Sequence, residues 1–287
     1  MENAIEIRHL TKDYGSFKLD DVSFNVPGGS IVGLIGENGA GKSTTIKCIL
    51  NLIRRDGGEI SVLGMDNVAD ERAVKEDVGV VLDESTFHDT LKASDVGKIL
   101  RRVYKNWDDS LFQDYLRKFS LPADKFIKEF SRGMKMKLSI AAALSSRPKL
   151  LILDEATGGL DPVVRDEILD EFLSFIQDED HAILISSHIT SDLEKVADYV
   201  VYLHRGRVAI QGTKDELLEE YGRLVCSRAD LAAVDGAFIV GQRTGQFGCE
   251  ALIKDKEKFR RLYPKLTVDP VTLEEIMVFT VKGDVQS

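Results

Sequence analysis

The sequence predicts an α/β protein: a largely parallel sheet with helices packed on it, and a small α+β unit at the C-terminal end. Three observations carry this. Continuous apolar runs at residues 31–35, 150–153, 182–186 and 199–203 suit buried strands. Helix-patterned segments lie between the later runs, and strands alternating with helices pair in parallel. After about residue 213 the pattern becomes short and mixed, which sets the last segment apart.

In chain order, residues 1 to about 30 read as short strands, because AIEIRHL and LDDVSFNVP alternate apolar with polar and are punctuated by Tyr14-Gly15 and Pro27-Gly28-Gly29. Ile31 to Ile35 is a buried strand, followed by a glycine-rich loop. Residues 43–53 follow with Ile46, Ile49, Leu50 and Ile53 at helical spacing. From about 85 to 148 the pattern is helical throughout and ends at Arg147-Pro148, which reads as a helical subdomain. The helix-like DELLEEYG then leads into GRLVCS, AFIVGQRTG and GCEALIKD, read as strands, and into the helix-like KEKFRRLY and TLEEIMVFTV. The expected division is a main domain of residues 1–221 and an accessory domain of residues 222–287.

Composition narrows the function. The chain has 287 residues, 43% of them hydrophobic, enough for a sizeable core. With 48 acidic against 38 basic residues the formal charge is −10, and no dense Lys/Arg block could track a phosphate backbone, so nucleic acid is not the expected partner. No apolar run approaches the roughly 20 residues of a membrane span, and the opening MENAIEIRHL has no apolar h-region of a secretory signal. Cys48, Cys226 and Cys249 are far apart in sequence and lack metal-ligand spacing, which suits free thiols in a reducing cytosol.

The chemistry starts at Gly36-Glu37-Asn38-Gly39-Ala40-Gly41-Lys42-Ser43, which fits G-x-x-x-x-G-K-[ST]. Glycines let consecutive N–H groups curl around phosphate oxygens, the lysine neutralises β/γ charge, and the hydroxyl can ligate Mg²⁺. A bare glycine turn with an exposed lysine would not require a strand before it and a helix after it. Three later motifs are individually unremarkable. Asp154-Glu155 ends the apolar run Leu150 to Leu153 and could be a solvated strand end; Ser131 precedes the long helix and could simply cap it; His188 ends another apolar strand and could be a lone surface histidine. Order and spacing distinguish them: Lys42, Ser131, Asp154 and Glu155, then His188, all following the phosphate loop.

Together these residues resemble the ATP-binding cassette (ABC) ATPase family from residue 4 to about 220. The resemblance implies a P-loop ABC ATPase fold with a mixed sheet core, a β-rich N-terminal part and a helical subdomain. It implies that Tyr14 stacks on adenine, and that Gly36, Asn38, Gly39, Ala40, Gly41, Lys42, Ser43 and Thr44 form the Walker A loop around the phosphates of ATP. Ser131 and Gly133 belong to the signature motif, residues 158–161 to the D-loop. Ser43 and Asp154 would hold Mg²⁺, Glu155 would be the catalytic base, and His188 would contact the γ-phosphate. Two departures stand out. Arg132 and Met134 replace a glycine and a glutamine of the usual signature, and Asp83 stands where the family carries a glutamine. Asp83 is therefore expected as a third Mg²⁺ ligand, with Glu84 the alternative one residue on.

In the family two cassettes meet head to tail, each signature completing the other's site, so one Walker A implies a homodimer or a heterodimer with a related cassette. The C-terminal Pro270-Val271-Thr272-Leu273-Glu274-Glu275-Ile276 resembles the end of ABC-2-type ATPases, and the text around FSRGMKMKL resembles the bacitracin- and acetoin-utilisation-type branch. The implied function is ATP hydrolysis driving export through a separately encoded permease, with the chain cytoplasmic and held at the inner face of the membrane by that permease. A soluble ABC ATPase without a permease is the alternative.

Overall fold

In the computed structural model, which describes residues 2–83, 87–245 and 248–283, the chain builds three sheets. Strands β1 (Asn3–Asp13) and β2 (Lys18–Pro27) form an antiparallel pair and β3 (Ile31–Ile35) enters the interior. Helix α1 (Lys42–Ile49) follows, then β4 (Gly57–Val62) and β5 (Met65–Asp66). The first sheet, ordered β2-β1-β4-β5, is wholly antiparallel, so the β-rich start expected from the sequence is a separate layer.

Helix α2 (Glu71–Glu76) and β6 (Val78–Val81) lead to the helical subdomain, made of α3 (Ala93–Leu100), α4 (Asp109–Lys118) and α5 (Arg132–Ser145). Phe112 anchors it, 1% exposed, with Trp107 5.2 Å away between ring centroids. Asp108 caps α4 by accepting from Leu111 N–H, and Ser131 caps α5 by accepting from Met134 N–H at 3.2 Å.

The chain then alternates β7 (Leu150–Asp154), α6 (Pro162–Phe175), β8 (Ala182–Ser187), α7 (Thr190–Val196) and β9 (Tyr199–His204), and turns back through β10 (Arg207–Thr213) into α8 (Lys214–Glu220). The central sheet is ordered β10-β9-β3-β8-β7-β6, parallel except for β10. Strands β3, β7, β8 and β9 read as nearly unbroken apolar runs because both faces are covered, whereas the edge strand β10 alternates exposed and half-buried residues. Ile31, Ile35, Leu151, Leu153, Ile183 and Ile185 face one core, with residues of α5, α6 and α7. Val32, Leu34, Leu150, Ile152 and Leu184 face the other, with α1 and the first sheet.

The C-terminal segment runs β11 (Gly222–Cys226), α9 (Arg228–Ala232), β12 (Ile239–Thr244), β13 (Cys249–Ile253), α10 (Lys256–Leu262) and β14 (Val268–Asp269). Its sheet, β12-β13-β11-β14, is antiparallel, the split βαβ arrangement of ferredoxin-like folds. Leu224, Phe238, Ala251 and Phe259 form its own small core. Cys226 and Cys249, 23 residues apart in sequence, stand opposite each other across β11 and β13 as free thiols. The last helix, α11 (Leu273–Gly283), packs across β12 and β13 of this sheet and also against α7, so that Val271, Leu273, Ile276 and Phe279, with Leu252 of β13, join the larger core beneath the central sheet. There Leu273 N–H donates to Glu194 Oε1 of α7 at 2.7 Å.

Candidate nucleotide-binding and catalytic site

The site lies at the carboxyl ends of β3, β7 and β8, where open parallel sheets present loops to ligands. Two glycines shape the first loop. A Cβ on Gly36 would lie 2.7 Å from the Leu203 carbonyl oxygen, and Gly41 has φ +113° with Leu19 and Phe17 within 3.0 Å of a would-be Cβ. Only glycine fits at Gly41, both for its left-handed backbone and for space. The loop then enters α1, whose free N–H groups and positive end suit an anion.

Lys42 folds back into the loop and is 6% exposed. Its Nζ donates to the Gly36 carbonyl at 2.8 Å and lies 3.1 Å from Glu155 Oε1. The other Glu155 oxygen is 2.5 Å from His188 Nδ1. Glu155 itself has φ +53°, a conformation that costs a non-glycine residue about 1–3 kcal/mol. Strand β8 holds it there, since Glu155 N–H is shared between the carbonyl and the hydroxyl of Ser186, each at 3.1 Å. Beside it, buried Asp154 Oδ1 accepts from Ser186 Oγ at 2.6 Å and from Ser43 Oγ at 3.2 Å.

These groups open on a cavity of about 610 Å³. Asn38, Gly39, Gly41, Lys42, Ser43 and Thr44 line it from the loop, and Glu155, His188 and Asp83 from the other side. Gly36 and Ala40 sit behind the lining, each packed against Leu203 or the loop itself. Asp154 reaches the cavity only through Ser43. Tyr14 is outside the lining, 52% exposed, with Lys12 Nζ 5.4 Å from its ring centroid, and Phe17 takes the aromatic position in the wall. Ser131 and Gly133 are also outside it.

Asp83 is in the wall, but its Oδ1 accepts from Arg132 at 2.7 Å, so in this arrangement the carboxylate is committed to a guanidinium. Glu84 lies outside the described residues. Three positions at the site were not singled out as site residues from sequence. Phe17 had a signal, an aromatic just after Tyr14-Gly15; Ser186 had one in standing directly before Ser187-His188; Arg132 had only its departure from the signature pattern.

Chemically, the loop and α1 can bind a polyphosphate, Lys42 can offset its charge, and Glu155 stands where it can orient water at the terminal phosphorus. Comparison with known proteins agrees with that chemistry. The ABC transporter family model matches residues 19–158. Over 97% of its length the chain is 31% identical to the ABC transporter ATP-binding protein YtrB of Bacillus subtilis, covering 98% of that protein. It belongs to the ABC transporter ATP-binding family. Within that family, a bacitracin transport ATP-binding protein, BcrA of Bacillus licheniformis, is 35% identical over 72% of this chain and 69% of its own. A solved ATP-binding subunit of an ABC transporter superposes with TM-score 0.68 at 30% identity, over 75% of this chain and 92% of that one. The ABC ATPase fold and an ATP-binding, ATP-hydrolysing role in a transporter are thereby established for the chain.

Proposed function

We propose that this ABC ATPase powers export through a separately encoded membrane permease, working as a dimer of cassettes at the inner face of the membrane. The observation that carries the catalytic half is the contact chain from Lys42 through Glu155 to His188 in one cavity. ATP enters with its phosphates against residues 36–44. Lys42 then exchanges the Gly36 carbonyl and Glu155 for phosphate oxygens, and the freed Glu155 carboxylate accepts a proton from water. His188 steadies that carboxylate and reaches toward the terminal phosphate. Tyr14 and Phe17 flank the side where adenine would stack.

The donor set suits Mg²⁺, a hard cation that takes a carboxylate or two plus phosphate oxygens. Ser43 and Asp154 already share a hydrogen bond at the cavity floor, and Asp83 could join them only after leaving Arg132. When bound, the ion would neutralise phosphate charge. No group of three or more His, Cys, Asp or Glu side chains fit for a metal occurs among the described residues, which accords with an ion held largely by the nucleotide.

A dimer is favoured by the exclusion of Ser131 and Gly133 from their own chain's cavity, where they are free to serve a facing cassette. The permease is favoured because no helix among the described residues is long and apolar enough to cross a membrane, whereas the relatives' names specify transport. Export rests on the C-terminal resemblance. We assign residues 1–221 to the ATPase domain and 222–287 to an accessory one. Two measurements test the reading: steady-state phosphate release by the purified chain, and detergent co-purification with a multi-spanning membrane protein. Phosphate release without any membrane partner in cells that express the chain would favour the soluble alternative.

A further inference from the structure

The loop after β7 runs over both groups assigned to the chemistry. Gly158 N–H donates to the Glu155 carbonyl at 3.0 Å, and a Cβ on Gly158 would lie 3.9 Å from Glu155 Oε2 and 3.9 Å from His188 Cε1. Gly159, with φ +68°, and Leu160 complete the loop before Asp161 caps α6 by accepting from Val164 N–H at 3.1 Å. One turn into α6, Arg165 reaches back and donates from Nη2 to the Leu160 carbonyl at 3.2 Å. Its Nη1 faces Asp192 Oδ1 at 3.7 Å, in the first turn of α7 and four residues after His188. A single guanidinium thus stands between the loop over Glu155 and the helix that follows His188.

This pair is a poor source of stability. Asp192 is 4% exposed, and 3.7 Å exceeds the roughly 2.7–2.9 Å of a charge-assisted hydrogen bond. Asp192 Oδ2 and Arg165 Nε are buried with no hydrogen-bond partner among the described residues, and so is the hydroxyl of Thr157 in the same loop. Buried polar groups are nearly always paired, and taking charges out of water costs more than a loose contact recovers. An apolar pair of similar volume would hold α6 against α7 at least as well. The two helices are also fastened by other means: Lys195 of α7 pairs with Asp166 and Asp170 of α6, and Ile168, Leu169, Leu193 and Val196 share one core. What the charges add is direction, because a planar guanidinium holds a carbonyl on one side and a carboxylate on the other at fixed angles.

We propose that Arg165 and Asp192 are positioning residues for ATP hydrolysis. Through the Leu160 carbonyl and the first turn of α7 they fix the separation between the loop of residues 155–161 and His188, and hence where the Glu155 carboxylate stands. Neither residue lines the nucleotide cavity, so both act through Glu155 and His188. This rests on the hydrolytic reading above and adds the support behind its two central side chains.

The test compares the full-length wild type with Arg165→Met, Asp192→Leu and the double variant Arg165→Met/Asp192→Leu, in thermal melts, calorimetric ATP binding, single-turnover phosphate release and amide exchange. Each single variant strands one charge and lowers Tm; the double variant removes both and recovers Tm to within a few degrees of wild type. In all three, ATP affinity stays within about threefold while phosphate release falls roughly ten- to hundredfold, the scale of a reacting group displaced by about 1 Å. Amide exchange rises together in residues 158–161 and 188–192. Recovery of wild-type phosphate release along with Tm in the double variant would assign the pair to stability alone. A double variant that melts as low as the singles, a loss of ATP affinity as large as the loss of release, or faster exchange in only one of the two segments also overturns the proposal. Failure of the hydrolytic reading looks different: wild type would then release no phosphate, and the exchange comparison would still decide whether the pair joins the two segments.

Discussion

Glu155 occupies a backbone conformation that few side-chain-bearing residues adopt, and its carboxylate bridges the lysine of the phosphate loop and a histidine 33 residues further on. Removing only its charge separates binding from chemistry. Glu155→Gln should retain ATP, lose roughly 100-fold or more in phosphate release, and accumulate as a nucleotide-bound dimer in size-exclusion chromatography, whereas Lys42→Ala should not bind. Turnover at the wild-type rate in Glu155→Gln would remove the assigned role. Phe17 and Tyr14 make a second comparison. Because Phe17 is in the wall and Tyr14 is not, Phe17→Ala should weaken ATP by about 1 kcal/mol, the scale of one base–aromatic stack, and by more than Tyr14→Ala does. The reverse order, measured with a fluorescent adenine nucleotide, would return the stacking role to Tyr14. At this scale the sequence was legible where residues are contiguous. The phosphate loop, Asp154, Glu155 and His188 are named by their local patterns, and the cap at Ser131 by the helix behind it. Arg132 with Asp83 was not, since no short-range pattern encodes which carboxylate a guanidinium will meet across 49 residues.

The helical elements were legible as periodicity and less so as packing. Gly97 sits in α3 with Phe112 against it, and a Cβ there would come within 2.8 Å of the ring. Alanine is the better helix former by about 1 kcal/mol, yet overpacking costs about 1–3 kcal/mol, so Gly97→Ala should lower Tm by a few degrees. A rise in Tm would mean that the Phe112 pocket has slack. Asp108, which caps α4, is bonded by the Ser110 hydroxyl, the Leu111 N–H and the Arg147 guanidinium, and these hold its carboxyl well below its ordinary value of 3.8. A carboxyl depressed in the fold stabilises above its unfolded value, and that contribution fades as pH falls through the folded one. The Tm difference between wild type and Asp108→Asn should therefore be widest near neutrality and shrink below about pH 4. A gap that stays constant into acid would assign the effect to shape instead of charge. The antiparallel first sheet went unseen as a layer because strand partners such as β1 and β4 are set by register across intervening helix and loop, not by the alternation of either strand.

For the whole molecule, the fold class followed from alternating apolar runs, and the two-core sandwich explains why those runs have no polar face. The fastening of the chain's end did not follow, because an apolar helix stripe does not say which core it joins. Val271, Leu273, Ile276 and Phe279 join the larger core with Leu217 and Tyr221 of the ATPase part. A chain stopped after residue 221 uncovers that surface and should melt well below the full length even where it still binds ATP. Phe279→Ala alone should cost about 3–5 kcal/mol. A truncated chain with the full-length melting temperature would show that the last helix is a passenger.

The bond between Leu273 N–H and Glu194 also has a mechanical side. Helix α7 begins two residues after His188, the side chain that meets the Glu155 carboxylate, and its flank is tied to the last helix of the chain. Packed interiors are stiff, so such a helix behaves as a push-rod: a displacement of its first turn is delivered at its far side with little lost to compression. The tail can thus serve as a gauge needle for events at the terminal phosphate. Amide exchange along residues 273–283 should change when ATP is bound in Glu155→Gln and return on conversion to ADP, with Glu194→Ala disconnecting the needle while leaving nucleotide affinity untouched. Exchange there that ignores the nucleotide would mean that the rod ends short of the tail.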